Sequence, residues 1–217
     1  MKKIICLLMV FACMLTMASC DLFNRGGDDV ATSGVENIAE IVNNSVPTRV
    51  VSHVDYMITG GKTLKGIYTT QVDRTSGKSQ FDYSYDKMAQ LSDMNPGGAY
   101  VNVSGTVLYN ADGTVSEESG DAWVSGGQGY LPYSLSIAEA RFASFTVSED
   151  GKTLTAEIAP SESRRVFGVE VEATGNITLT VETDGSYLHY VTVNYATAEA
   201  TVIVRTSYDY GAVALDF

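Results

Sequence analysis

Hydrophobic residues recur at every second position over most of the chain from Arg49 onward. This period is typical of strands that bury one face and expose the other. Gly60-Gly61, Ser76-Gly77 and three Asp-Gly pairs separate the alternating runs and favour tight turns between them. The pattern therefore predicts a mainly β (α+β) domain with about ten antiparallel strands.

A helical period precedes the strands. The apolar positions are Val35, Ile38, Ile41 and Val42, which share one side of a helix. A capping-box pattern at 33–36 begins this helix, and Pro47 follows its end near 43–45. The predicted helix is amphipathic, so we expect it to cover part of the sheet.

Four further segments carry weaker patterns. Residues 86–98 predict a short helix and a loop, and 136–141 a second short helix beginning with a capping box. Alternating residues at 167–171 predict a strand. The Gly/Ser-rich stretch 116–133 predicts a long loop.

The first 20 residues have the order of an export signal. Met1-Lys2-Lys3 is basic, and the uncharged apolar run 4–18 is shorter than the roughly 20 residues of a spanning helix. Met17-Ala18-Ser19-Cys20 resembles the lipobox of bacterial lipoproteins, although Met17 replaces the usual Leu. The resemblance implies cleavage before Cys20 and acyl chains such as palmitate on that residue. The alternative is an ordinary signal peptide cleaved near Ser19, which leaves a free thiol.

These features predict three parts: a signal peptide at 1–19, a lipidated flexible tether at 20–33 and a single domain at 34–217. Since Cys6 and Cys13 lie in the signal peptide, the mature chain has neither an internal disulfide nor a cysteine cluster for zinc. The expected location is the extracytoplasmic side of a bacterial membrane, in the cell envelope. Attachment there depends on the lipid of Cys20.

Charge narrows the range of partners. Loss of Lys2 and Lys3 changes the formal net charge from −12 to −14. Such an acidic chain repels phosphate backbones, so nucleic acid is not an expected partner. The membrane, through lipid, and possible hydrophobic ligands remain the expected partners.

The sequence offers little catalytic chemistry. His53 lies on a polar strand face beside Asp55, and alternation predicts that His189 points inward. Residues 146–157 resemble a calcium loop only in part, because Thr146 and Ser148 replace the required carboxylates. We therefore predict no enzymatic activity, no cofactor and no metal site.

The order of lipid-bearing cysteine, tether, amphipathic helix and antiparallel strands resembles the LolA/LolB lipoprotein carriers and the LppX/LprG-like lipoproteins. The most similar stretch comprises strands 176–183, 186–196 and 200–208, followed by Tyr208-Asp209-Tyr210-Gly211. The resemblance implies a strongly curved half-barrel sheet. Its concave face would be covered by the N-terminal helix and one or two short helices, and would hold an apolar ligand.

Six inward-facing residues form the predicted ligand pocket: Tyr56, Tyr68, Tyr83, Leu179, Val193 and Tyr195. The alternative is that these residues only form a packed core. A different class of function also stays open, a non-catalytic β-sandwich that binds glycan or protein through loops such as 116–133, which contains Trp123. An outer-membrane barrel is disfavoured because several predicted strands are shorter than the roughly 9–11 residues that cross a bilayer.

Overall fold

The computed structural model describes residues 31–88, 100–122 and 134–217. The predicted signal peptide, Cys20 and most of the tether lie outside the described residues. Within them the chain is mainly β, with two short helices and two single 3-10 turns. The helices are α1 (Ala31–Asn44) and α2 (Ser163–Phe167).

Ten antiparallel strands form one sheet, as the alternation predicts. The strands are β1 (Arg49–Ile58), β2 (Thr63–Val72), β3 (Ser79–Met88), β4 (Tyr100–Tyr109), β5 (Val115–Gly120), β6 (Ser144–Val147), β7 (Thr153–Ile158), β8 (Ile177–Thr183), β9 (Leu188–Ala196) and β10 (Ala200–Asp209).

The sheet consists of two meanders, β1 to β5 and β6 to β10. They are joined by pairing of the first strand with the last. The order of the sheet is β5-β4-β3-β2-β1-β10-β9-β8-β7-β6, so β1 pairs with β10 although they begin and end the strand region. This pairing runs in unbroken register from Arg49 opposite Asp209 to Ile58 opposite Ala200. The sheet is open, with β5 and β6 as its edges.

Helix α1 packs on β6 and β7 through the predicted apolar stripe. Val35, Ile38 and Val42 are 3%, 0% and 6% exposed. A Cβ added to Gly34 would lie 3.2 Å from Val147 Cγ1, which shows how closely the helix approaches β6. Within the described ranges, neither helix has the length and apolar composition needed to cross a bilayer.

The strand predicted at 167–171 is not present: Phe167 ends helix α2, and residues 168–171 have no regular secondary structure. Val166 and Phe167 are both fully buried, which two neighbouring residues of a half-buried strand cannot be. Gly168 then adopts φ 71° and ends the helix. The buried Ser163 hydroxyl fixes the segment, because it donates to the Pro160 carbonyl at 2.7 Å and accepts from the Val171 amide at 3.0 Å.

Three other local predictions were wrong in part. Residues 115–120 form strand β5 rather than the start of a loop, and β3 continues to Met88 where a helix was expected. The predicted short helix at 136–141 is only a 3-10 turn over Glu139–Arg141. Ser136 does not cap it, since its hydroxyl instead accepts a hydrogen bond from the Arg141 guanidinium at 2.9 Å.

All the long connections between strands leave one end of the sheet, where two tight turns, at 59–62 and 197–199, also lie. Four hairpin turns, at 73–78, 110–114, 148–152 and 184–187, lie at the other end, which we call the turn end. The β3–β4, β5–β6 and β7–β8 connections leave the opposite end, which we call the loop end. The turn end therefore has tight hairpins alone between its strands, whereas the loop end has both tight and long connections.

Candidate ligand-binding face

The six predicted pocket residues all lie on the face of the sheet that α1 covers, which we call the inner face. Leu179 lies opposite Val193 across β8 and β9, and Tyr68 lies opposite Tyr83 across β2 and β3. Val202 of β10 lies between Tyr56 on β1 and Tyr195 on β9 and is the cross-strand partner of both. Opposed residues in antiparallel strands point to the same face.

A continuous row of side chains crosses this face. Cross-strand partners link, in order, Phe145, Ala156, Leu179, Val193, Val204, Val54, Gly66, Tyr85 and Val103. The row reaches from β6 to β4 without a charged residue. Sequence alternation predicts the inward direction within each strand, but only the register shows that these strands share one face.

Most of the candidate residues are shielded from water. Leu179 and Val193 are 0% exposed, and Tyr68, Tyr83 and Tyr195 are 2%, 4% and 8% exposed. Tyr56 is only half-buried. Side chains of this burial form one contiguous hydrophobic cluster that includes the apolar stripe of α1.

The inner face has an aromatic half on β2, β3 and β4. The Tyr68 and Tyr85 rings stack with centroids 6.0 Å apart, and Tyr83 lies 6.4 Å from Tyr85 and 5.7 Å from Phe81. Strands β7 to β10, by contrast, bury mainly Val, Leu and Ile. Helix α1 packs mainly on β6 and β7, at the far end of the aliphatic half.

Tyr68 lies low on the sheet because Gly66 leaves room beneath it. A Cβ at Gly66 would lie 2.7 Å from Tyr68 Cε2, closer than carbon atoms approach without strain. The ring therefore rests against the backbone of its own strand.

Burial also keeps the inner-face phenols neutral. It raises the pKa of Tyr195 to about 12, with a smaller contribution from Tyr56. Burial similarly raises the pKa of Tyr109 to about 12, and the Glu118 carboxylate and Tyr83 add to this effect. The pKa of Tyr83 is raised by the same cause, and its hydroxyl donates to the Asp121 carbonyl.

A cleft of about 440 Å³ meets the inner face at the loop end. Tyr56 lines it together with residues 172–174 and 197–199. The Glu172 and Glu199 carboxylates are exposed at this site. Sequence reasoning did not find the cleft, because its walls come from two connections that are distant in sequence and carry no motif.

The two histidines lie away from the inner face. His53 is exposed on the opposite, outer face, where it lies opposite Arg205 and Ile67. The prediction that His189 points inward was wrong, because a bulge at the start of β9 turns its side chain outward. Its Nε2 instead lies 3.2 Å from Asp184 Oδ2.

No group of three or more His, Cys, Asp or Glu residues within the described part of the chain is placed to hold a metal ion. The Ser148–Lys152 turn is held by Asp150, which accepts from the Ser148 hydroxyl and the Lys152 amide at 2.6 and 3.1 Å.

Cys20 and Trp123, which the sequence suggested for lipid attachment and loop binding, lie outside the described residues.

No protein-family model matches this sequence, and comparison with curated proteins finds no significant relative.

Proposed function

We propose that this chain is a lipid-anchored extracytoplasmic lipoprotein that binds or carries a lipid or another hydrophobic molecule on the inner face of its sheet. The anchor is acylated Cys20, so the membrane is the first partner. The observation that supports the ligand is the apolar inner face, which is continuous across the strands while the packing of α1 is concentrated on β6 and β7.

The proposed site is the aromatic half of the inner face, reached through the cleft at Tyr56. Tyr56 is the one candidate residue that is both on the inner face and half-buried. An alkyl chain in contact with Tyr56 could continue over Leu64, its partner on β2. Each methylene group transferred from water to such a surface contributes about 0.8 kcal/mol.

A half-barrel shape is part of this proposal. Adjacent strands are rotated by about 20–25° in ordinary sheets, and ten strands accumulate enough twist to curl an open sheet. The inner face would then be concave. This is the geometry that the resemblance to LolA/LolB and LppX/LprG-like lipoproteins implies.

The test uses residues 21–217, which contain every described element, exported with a cleavable leader and purified without detergent. Native mass spectrometry should detect retained lipid, and the probe N-phenyl-1-naphthylamine should brighten on binding. Tyr56→Ala should weaken probe binding with little loss of stability, since the side chain is half-buried. Ile67→Ser, on the exposed outer face of β2, is the matched control.

A chain that carries no lipid and leaves the probe dark would contradict the ligand proposal. The second candidate, a non-catalytic tethered module with a solid interior, would then be the better account. The low exposure of Leu179, Val193 and Tyr68 favours this second candidate, because a filled core buries such residues without a ligand.

A further inference from the structure

Strand β9 begins with a β-bulge that turns two consecutive side chains outward. Glu182 lies opposite Tyr190, but Thr183 lies opposite Leu188, so β9 contains one extra residue here. As a result, Leu188 is buried while both His189 and Tyr190 are exposed. Bulges of this kind redirect side chains and occur often at functional sites.

Two exposed tyrosines flank this bulge. Tyr187 is 49% and Tyr190 36% exposed, and both belong to the small group of large hydrophobic residues that are exposed in the described part of the chain. The Tyr187 ring packs on Tyr210 with centroids 4.7 Å apart. The Arg205 guanidinium lies 4.7 Å from the centre of the Tyr190 ring.

The base of these rings is rigid. The Tyr210 hydroxyl donates to the Leu188 carbonyl at 2.8 Å, and the Leu188 amide donates to the Ser45 hydroxyl at 3.0 Å. The hairpin is thereby joined both to the end of α1 and to the residue that follows β10. Little conformational freedom would be lost when a ligand contacts the two rings.

A carboxylate and an imidazole lie beside the rings, and the His189 and Tyr190 ring centroids are 6.3 Å apart. Asp184 Oδ1 accepts from the Ser186 and Tyr187 amides at 2.7 and 2.8 Å, and Asp184 Oδ2 lies 3.2 Å from the His189 ring. We use the name hairpin surface for the set Asp184, Tyr187, His189, Tyr190, Arg205 and Tyr210. It combines apolar ring faces with oriented donors and acceptors.

The size and charge of the hairpin surface restrict its ligand. A stable protein partner requires about 800 Å² on each side, far more than two partly exposed rings supply. Asp184 and Arg205 carry opposite charges, and the chain as a whole has a net charge of −12, which disfavours polyanions. A neutral ligand with a flat apolar side and peripheral hydroxyl groups fits these conditions.

We propose that the hairpin surface binds a neutral carbohydrate. A pyranose ring presents C–H groups on one side, which pack on Tyr190 or Tyr187, while its hydroxyl groups reach Asp184 and His189. This site lies at the turn end and includes side chains of the outer face. It is therefore independent of the proposed hydrophobic ligand on the inner face.

The test is native affinity electrophoresis of the full chain in non-ionic detergent. The gels contain galactomannan, xyloglucan, mixed-linkage β-glucan or glycogen. At least one polymer should retard the protein. Tyr187→Ala and Tyr190→Ala should each weaken that binding about tenfold, whereas Tyr190→Phe, which keeps the ring, should retain most of it.

Tyr100→Ala is the matched control. Tyr100 also carries a cation over its ring, with Lys62 Nζ 5.1 Å from the centroid, but it lies at the loop end, and no ring among the described residues stacks on it. This variant should bind as the wild type does. Circular dichroism should show that all variants remain folded.

Three results would overturn the proposal: no retardation by any of the four polymers, undiminished binding in the Tyr187→Ala/Tyr190→Ala double variant, or equal loss in Tyr100→Ala. Amide chemical shifts of the wild-type protein provide a second test that does not depend on the folding of any variant. On addition of a hexasaccharide from the retarding polymer, the largest amide chemical-shift changes should occur at 184–190. Changes centred elsewhere would also overturn the proposal.

Discussion

Tyr83 lies directly opposite Gly105 across β3 and β4, and its ring covers the glycine. A Cβ at position 105 would lie 2.7 Å from Tyr83 Cζ and 2.6 Å from the carbonyl oxygen of Ser119. The tyrosine thus shields a strand position that has no side chain of its own. The ring therefore lies close to the β4 backbone, and Tyr83 is itself shielded from water.

Gly105→Ala should therefore destabilise the protein by about 1–3 kcal/mol, because the added methyl group has backbone on one side and a buried ring on the other. Urea unfolding followed by circular dichroism measures the change. Gly175→Ala is the control, since nothing lies within 4 Å of a Cβ at that position. Equal stability of the two variants would contradict the packing that we describe.

Four aspartates hold the four tight turns at the turn end, and each has a lowered pKa. Hydrogen bonds from Ser76, Thr114 and Ser148 are the main causes for Asp73, Asp112 and Asp150. For Asp184 the main cause is the Tyr187 amide.

A carboxylate with a lowered pKa in the folded state favours folding above its unfolded pKa and loses that contribution as pH falls through the folded value. The urea midpoint should therefore decrease as pH falls below about 4. Replacing all four aspartates with asparagine should flatten this dependence, because an amide oxygen still accepts the hydrogen bonds but does not titrate in this range. Asn37→Ala, a change at an exposed position of α1 that does not titrate, is the control and should leave the slope unchanged.

Ser163→Ala should cost about 1–3 kcal/mol, because the Pro160 carbonyl and the Val171 amide would both lose a buried partner. Thermal and urea unfolding measure the loss. Ser161→Ala, a change at an exposed position two residues away, should alter stability by less than about 0.5 kcal/mol. If Ser163→Ala proves neutral, the hydroxyl does not hold α2 against the following segment.

Tyr195 and Tyr109, each with a pKa of about 12 in the folded state, should ionise late in an alkaline titration followed at 295 nm. Because the folded pKa is raised, the neutral phenol favours folding below the unfolded value of about 10. That contribution is lost as pH rises towards 12. Tyr195→Phe and Tyr109→Phe should each lower by one the number of tyrosines that ionise near pH 12. The double variant should lower it by two. An unchanged titration would show that these phenols are open to water.

Local sequence patterns accounted for most of the sheet. Alternation identified the inward residues of β8 and β9, and the Asp-Gly pairs marked three turns, because both signals depend only on near neighbours along the chain. The sequence did not predict β5, because all six of its side chains are exposed and give no alternation of hydrophobic and polar residues. Its strand conformation depends on backbone pairing with β4. His189 was misplaced because a bulge shifts the alternation by one residue.

The amino-acid sequence by itself determined most of the strands, the three Asp-Gly turns, the amphipathic helix and, for most strands, the side that avoids water. These properties follow from short-range periodicity and from the backbone preferences of Gly, Asp and Pro. Only the tertiary structure decided that β1 pairs with β10, that the inward sides of nine strands form one surface, and that Tyr56 meets a cleft built from distant connections. Such contacts join residues far apart in the chain, and the hydrogen bonds and burial that select them leave no periodic signal within either partner segment.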